Sequence, residues 1–498
     1  MAQKRTKPRL SKSRFVAGLQ CLKRLYLMVN EPETGAEISA AVQAILDQGK
    51  EVGNLATQLF KGGVLVDADH KHSREAVETT EMLIEDTKVP AIFEAGFTHD
   101  NIHVRVDILE RLAGSKWHLI EVKSTTEVKD YHLPDAAIQK YVLEKSGLKV
   151  ARASLMHLNR DYVYDGKKYV LKKLFKIAAV TTDIKALEKE LPKRIAEQRL
   201  VLMNKRPPKI EPGRQCTKPF ACEFYDRCNL EQPADWIGNL YRISESKMAE
   251  LQAQGIDSIK DIPESFQLSA IQQRMRECAR KKKPFFSATL TEKLAELAPP
   301  VYFMDFETIN PALPWHKGMR PFDQLPFQWS VHVMTRNGAK VKHYEFLHNA
   351  DGDPRGPFLK ELLAVLEEHA RAPIIVYNQG FESGRLNELA GWFPAYAGRI
   401  KRVQKRLWDL LPVVREHVYH PKFRGSFSIK SVLPALVPGM TYTGMGVADG
   451  AQAGVAYLKM LQEDTPKLEK KRIRSNLLQY CEQDTLAMVM LIDSLKRK

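Results

Sequence analysis

Short stretches that alternate apolar with polar positions or run apolar, His103 to Leu109, Trp117 to Val122 and Ala151 to Leu158, predict strands. Helical spacing holds over Ala41 to Phe60, Arg74 to Asp86 and Ile184 to Asn204, so residues 1–230 read as a mixed α/β domain. The strand signal is lost over residues 231–295, a helical connector that ends in the basic run Arg280, Lys281, Lys282, Lys283 before Pro284. Within it, Met248-AELQAQGIDSIKDI reads either as half of a helix-hairpin-helix turning at Gly255 or as a plain helical linker. Strands return at Val301 to Phe306, Phe327 to Met334, Val341 to Phe346 and Ile374 to Tyr377, with helices at 357–370, 382–390 and 475–495. A second α/β domain is therefore expected over residues 296–498.

The 498 residues suffice for two or three domains, and six scattered cysteines exclude a disulfide scaffold. No apolar run reaches about 18 residues and the N-terminus lacks an apolar leader, so a soluble, cytoplasmic protein with no membrane partner is expected. Charge changes the picture more: 76 Lys and Arg against 60 Asp and Glu leave a formal excess of +16. The first 30 residues carry Lys4, Arg5, Lys7, Arg9, Lys12, Arg14, Lys23 and Arg24 without an acid. Such a segment suits a phosphate backbone or another anionic surface, or, over its first ten residues, is a solvated tail.

Two constellations could carry chemistry. In HVRVDILERLAGSKWHLIEVKS, a turn at Ala113-Gly114-Ser115 joins two strands, and period two puts Glu121 and Lys123 on one face. Asp107 on the neighbouring strand can converge with Glu121 on a hard divalent cation, Mg²⁺ or Mn²⁺, with Lys123 supplying further positive charge. The alternative is a surface ion pair flanking a buried strand. Cys216, Cys222 and Cys228 lie together in CTKPFACEFYDRC, and Cys21 is the available fourth ligand, because Cys278 and Cys481 lie in helical segments elsewhere. Four thiolates suit a 4Fe–4S cluster or a structural Zn²⁺.

Cys21, the Asp107…Glu121-Val122-Lys123 motif, Gln139 with Tyr141, and the terminal three-cysteine cluster together resemble the iron–sulfur branch of the RecB-type PD-(D/E)XK nucleases over residues 10–230. The resemblance implies a restriction-endonuclease-like domain with a four-cysteine metal cluster. It makes Asp107 and Glu121 the metal ligands and Lys123 the charge stabiliser, with Gln139 and Tyr141 beside the site. The sequence departs from the family in the five-residue gap between Cys216 and Cys222, the closer spacing of Gln139 and Tyr141, and the lack of a His in Gly49-KEVGNLA. Glu94 in AIFEAGF is an additional acid that could assist.

In the second region, Asp305 and Glu307 share one face at the end of the apolar run Val301-YFMDFET, where paired carboxylates are costly unless cations neutralise them. Tyr480 and Asp484, four apart, share a helix face. With IIVYNQGFESGRL, which carries Glu382, these residues resemble the tyrosine-bearing branch of the DnaQ-like DEDD 3′-to-5′ exonucleases over residues 300–495. That resemblance implies an RNase H-like fold and two metal ions held by acids, with Asp305, Glu307 and Asp484 as ligands and Tyr480 orienting the attacking water. Glu382 stands where the family has Asp, and Asp409 is an alternative fourth acid or a helix-terminal surface residue.

The expected function is thus a metal-dependent nuclease acting on single-stranded DNA or duplex ends in repair or defence against foreign DNA, beside a helicase or defence-system partner. An RNA exonuclease, or a nucleic-acid-binding scaffold with one or both sites inactive, is the rival expectation. The basic runs Arg399-IKRVQKR and Lys467-LEKKRIR either line a strand path or are solvated helix faces.

Overall fold

In the computed structural model, which describes residues 8–68, 72–230, 232–336, 340–349 and 352–498, the chain divides into two units. Met1–Glu231 with Pro311–Asp323 form one, and Gln232–Asn310 with Gln324–Lys498 the other. Lys4, Arg5 and Lys7 lie outside the described residues.

The first unit is built on β1 (Leu10–Ser11), β2 (Val64–Leu65), β3 (Ala91–His99), β4 (Ile102–Leu112), β5 (Lys116–Lys123), β6 (Lys149–Leu158) and β7 (Phe175–Ala179). These form one sheet in the order β2-β3-β4-β5-β6-β7, with β1 paired to β4. Alternation in β4 buries Ile102, Val104 and Val106 and leaves His103, Arg105 and Asp107 half-buried on the other face. β5 and β6 run parallel, so a crossover must join them. The helix Leu133–Lys145 provides it and buries Ala136, Ala137, Ile138, Val142 and Leu143 in the same core as Val104, Val106, Leu119 and Leu155. The β4–β5 ladder runs from Leu112↔Lys116 to Ile108↔Ile120 and stops there, so the next residues, Asp107 and Glu121, sit where the strands part.

In the second unit, β8 (Phe285–Phe286) pairs with β14 (Val418–Tyr419). β9 (Val301–Ile309), β10 (Leu325–Met334), β11 (Lys342–Leu347), β12 (Ile374–Val376) and β13 (Leu407–Asp409) form a sheet in the order β11-β10-β9-β12-β13. The first three strands are antiparallel neighbours, and β12 and β13 add in parallel. Period two sends Tyr302, Met304 and Phe306 of β9 into a core shared with Phe358, Leu362 and Leu366 of the helix Arg355–Glu367. Asp305 and Glu307 consequently face the other side, where the C-terminal helix Lys467–Leu495 packs on β9 and β10.

The described part of the connector belongs to this second unit. Its helix Glu245–Ala253 turns at Gly255 (φ +71) into the short 3₁₀ turn Ile259–Asp261, and the helix Ala270–Lys281 follows. Trp236, Ile237, Leu240, Leu251 and Ile262 are buried. At Gly425 (φ +79) a Cβ would stand 1.7 Å from the Asn239 carbonyl oxygen, a position that only glycine can fill.

The architecture is mixed α/β. The expected fold class, a PD-(D/E)XK domain built round a four-cysteine metal cluster and joined to a DnaQ-type domain, needs correction. Among the described residues, the close-set metal-ligating groups consist of His, Glu and Asp and contain no cysteine.

Candidate functional site

In the first unit, the gap between β4 and β5 lets Asp107 replace a ladder partner: its Oδ2 accepts from the Val122 N–H at 2.7 Å. Glu121 is buried, and its Oε1 accepts from Lys12 Nζ and Lys123 Nζ, each at 2.8 Å. Its Oε2 accepts from Gln139 Nε2 at 2.7 Å, and Lys123 also bonds Asp135. Burial alone would pull the Lys12 amine down, yet Glu121, Asp107 and Asp135 together raise its pKa above the ordinary value. Against its own desolvation, Glu121 is held below the carboxylate range by Lys12 and Lys123. Asp107 is pushed up to about 7, by burial first and then by Glu121.

The sequence-predicted residues Asp107, Glu121, Lys123 and Gln139 therefore come together, but round an ammonium group. Lys12 enters from the helix Lys12–Gln20, whose start is capped by Ser11, and in the sequence it stands out only as part of a basic stretch. No spacing rule links residue 12 to residue 121, so neither its role nor that of Asp135 could be read from the sequence. Tyr141 is not brought to Glu121. It packs against the hydrophobic core two residues after Gln139, with Lys145 over its ring at 5.9 Å. Glu94 has φ 54 and ion-pairs with Arg105 at 3.6 Å, and its charge acts on Asp107.

In the second unit, one carboxylate oxygen from each of Asp305, Glu307 and Asp484 lies within 4.8 Å of the other two. β9 supplies the first two residues and the C-terminal helix the third. Burial, then Asp484, Glu307 and Glu382, raise Asp305 well above the ordinary carboxylate range; burial and then Asp484 do the same to Glu307. Asp484 rises to about 6 through burial, tempered by hydrogen bonds from Tyr442 and Tyr480 and by the charge of Lys430. The Tyr442 hydroxyl donates to Asp484 Oδ1 at 2.5 Å, and Lys430 Nζ lies over the Tyr480 ring at 5.2 Å and the Tyr442 ring at 5.5 Å. Burial keeps the Tyr480 hydroxyl protonated far above neutrality.

Glu382, on the helix Gln379–Trp392, is buried and lies outside the three-ligand group. Its Oε2 has no hydrogen-bond partner among the described residues, and burial pushes its carboxyl up to about 8. Asp409 caps the helix Leu410–His417 and accepts from the N–H groups of Asn378, Gln379 and Leu411 at 2.9, 3.0 and 3.0 Å. Those bonds assign it to holding the loop that precedes the Glu382 helix. Sequence reading missed Lys430 and Tyr442, which reach the site from separate segments and carry no motif.

The cysteine expectation is corrected. Cys21, Cys216, Cys222 and Cys228 line one small cavity as free thiols, but they form no group whose sulfur atoms lie within 4.8 Å of one another. Burial raises the Cys216 and Cys228 thiols and takes Cys222 to about 11. Cys222 and Cys228 pack on the hydrophobic cluster of Tyr26, Leu27, Val201 and Phe224. Neither a 4Fe–4S cluster nor Zn²⁺ is assigned to them. Among the described residues, the groups set closely enough for a cation are Asp305/Glu307/Asp484 and His332/His343/Glu482.

Comparison with known proteins adds likeness without activity. The family model described as "Domain of unknown function (DUF2779)" matches residues 302–428, which include Asp305, Glu307 and Glu382 and stop before Tyr442 and Asp484. The chain is 27% identical over 225 residues to the uncharacterized protein UU173 of Ureaplasma parvum, covering 40% of this chain and 32% of the relative. It is 25% identical over 209 residues to the uncharacterized protein MG366 of Mycoplasma genitalium, covering 39% and 31%. The matched segments span about a third of the length of these relatives. Among the described residues, no helix is long and apolar enough to cross a membrane.

Proposed function

We propose that this chain is a nucleic-acid-binding protein with one site poised for phosphodiester hydrolysis, Asp305/Glu307/Asp484, and a second acidic site closed by its own Lys12. The observation that carries the reading is the contrast between the two. Glu121 is bound by two lysines, whereas the trio lies within 4.8 Å with all three pKa values raised by burial, and those of Asp305 and Glu307 also by the neighbouring acids. Three crowded carboxylates form an all-oxygen donor set that suits a hard divalent cation. A cation held there lowers the pKa of water and offsets charge growing on a phosphate.

The chain's own groups support the remaining work. The Tyr480 hydroxyl stays protonated and hydrogen-bonds Asp484, so it can orient a water beside the acids. Lys430 tempers the negative charge of Glu307 and Asp484 from beyond the two tyrosine rings. The +16 excess favours a polyanionic substrate.

The test is cleavage of matched, end-labelled DNA and RNA oligonucleotides with Mg²⁺ or Mn²⁺. The wild-type chain shortens at least one of them, and Glu307→Gln loses about 100-fold or more of that rate. Binding of both oligonucleotides without cleavage of either would leave only a scaffold. The two sugars are separate arms because a cation held by carboxylates can act on the phosphodiester of either.

A further inference from the structure

We infer that His332, His343 and Glu482 form a second cation site, of the borderline type that takes Zn²⁺, independent of the nuclease reading. His332 on β10 and His343 on β11 are direct cross-strand partners, with ring centroids 4.5 Å apart. Glu482 approaches from the C-terminal helix, its Oε1 3.7 Å from His343 Nδ1. One ligand atom from each of the three lies within 4.8 Å of the other two.

The hydrogen bonds behind the rings fix which nitrogens carry lone pairs. The Thr485 hydroxyl donates back to the Glu482 carbonyl at 3.0 Å, so its oxygen is left to accept. It accepts from His332 Nδ1 at 2.8 Å, and from the Ser330 hydroxyl at 2.7 Å. Ser330, having given its proton to Thr485, accepts from His343 Nε2 at 2.9 Å. With both protons on the hydroxyl-bound nitrogens, the lone pairs sit on His332 Nε2 and His343 Nδ1. A lone pair on His343 Nδ1 then faces the Glu482 carboxylate, an arrangement that a cation between them satisfies, as a proton on the ring would.

Two imidazoles and one carboxylate, each imidazole held by a second polar partner, make a donor set that suits Zn²⁺ better than Mg²⁺ or Mn²⁺. His332 is buried while Glu482 is 46% exposed, so the fourth position opens to solvent. The ion would tie β10 and β11 to the C-terminal helix two residues before Asp484.

The full-length chain, stripped by chelation, is titrated with Zn²⁺ and separately with Co²⁺, alongside His343→Asn, Thr485→Val and Asp305→Asn. The wild type binds one more equivalent than His343→Asn, Asp305→Asn still binds the equivalent that His343→Asn loses, and Thr485→Val binds that equivalent about 10- to 100-fold more weakly. The Co²⁺ difference spectrum between wild type and His343→Asn shows d–d bands without thiolate charge transfer, and circular dichroism confirms that all three variants fold. Equal uptake by wild type and His343→Asn, or a blank Co²⁺ difference spectrum, overturns the site and leaves an ordinary imidazolium–carboxylate pair.

Discussion

Asp305→Asn stabilises the cation-free protein while removing its response to divalent cations. Asp305, Glu307 and Asp484 crowd together, Glu307 and Asp484 buried and Asp305 partly so, and all have raised pKa values, about 6 in the case of Asp484. Above the ordinary carboxylate range near 4, the folded state holds protons that the unfolded chain has released. Wild-type stability therefore falls as pH rises from about 4 through the raised folded values. Removing one charge from the trio relieves part of that cost, on the order of 1 kcal/mol at pH 8. Mg²⁺ or Mn²⁺ raises the wild-type melting point at pH 8 and leaves that of Asp305→Asn nearly unmoved. Denaturant titrations with and without cation read both effects, and a variant less stable than wild type without cation would contradict the electrostatic account of the trio.

Lys12→Ala has the opposite sign. It strips from Glu121, whose side chain is only 2% exposed, one of its two ammonium partners, and it leaves Asp107 without a nearby cation that lowers its pKa. Removing one member of a buried pair leaves an uncompensated charge, and the expected loss is about 3 kcal/mol at neutral pH. Because Glu121 is held below the ordinary carboxylate range, its ion-paired stability is present above that range and declines as pH falls through it. The gap between wild type and Lys12→Ala therefore narrows in acid. Guanidinium melts at pH 7 and pH 4 measure it. Identical midpoints at pH 7 would show that Lys12 does not close this site.

Local sequence patterns show one half of each site. Period two locates β4, β5 and β9, and hence places Asp107, Glu121, Asp305 and Glu307 on definable faces, because a strand in contact with a core must alternate. Helical spacing likewise pairs Tyr480 with Asp484. The other half depends on contacts between distant segments that leave no local pattern. Lys12 meets Glu121 across 109 positions, and Tyr442 meets Asp484 across 42. His332 and His343 become partners only through the β10–β11 register.

The cysteine error has a related cause. Spacing in CTKPFACEFYDRC gives proximity along the chain, but it does not report the separation of the sulfur atoms. Tyr141 fails by periodicity: two positions along a helix from Gln139, it turns to another face and packs in the core.

The most direct test of the central claim is a single cleavage series on labelled oligonucleotides with Mn²⁺, comparing wild type, Asp305→Asn and Lys123→Ala at equal concentration. The account predicts that Asp305→Asn abolishes cleavage and that Lys123→Ala retains it, since Lys123 belongs to a closed ion-pair network. Loss of cleavage in Lys123→Ala with full activity in Asp305→Asn would contradict it and move the chemistry to the first unit.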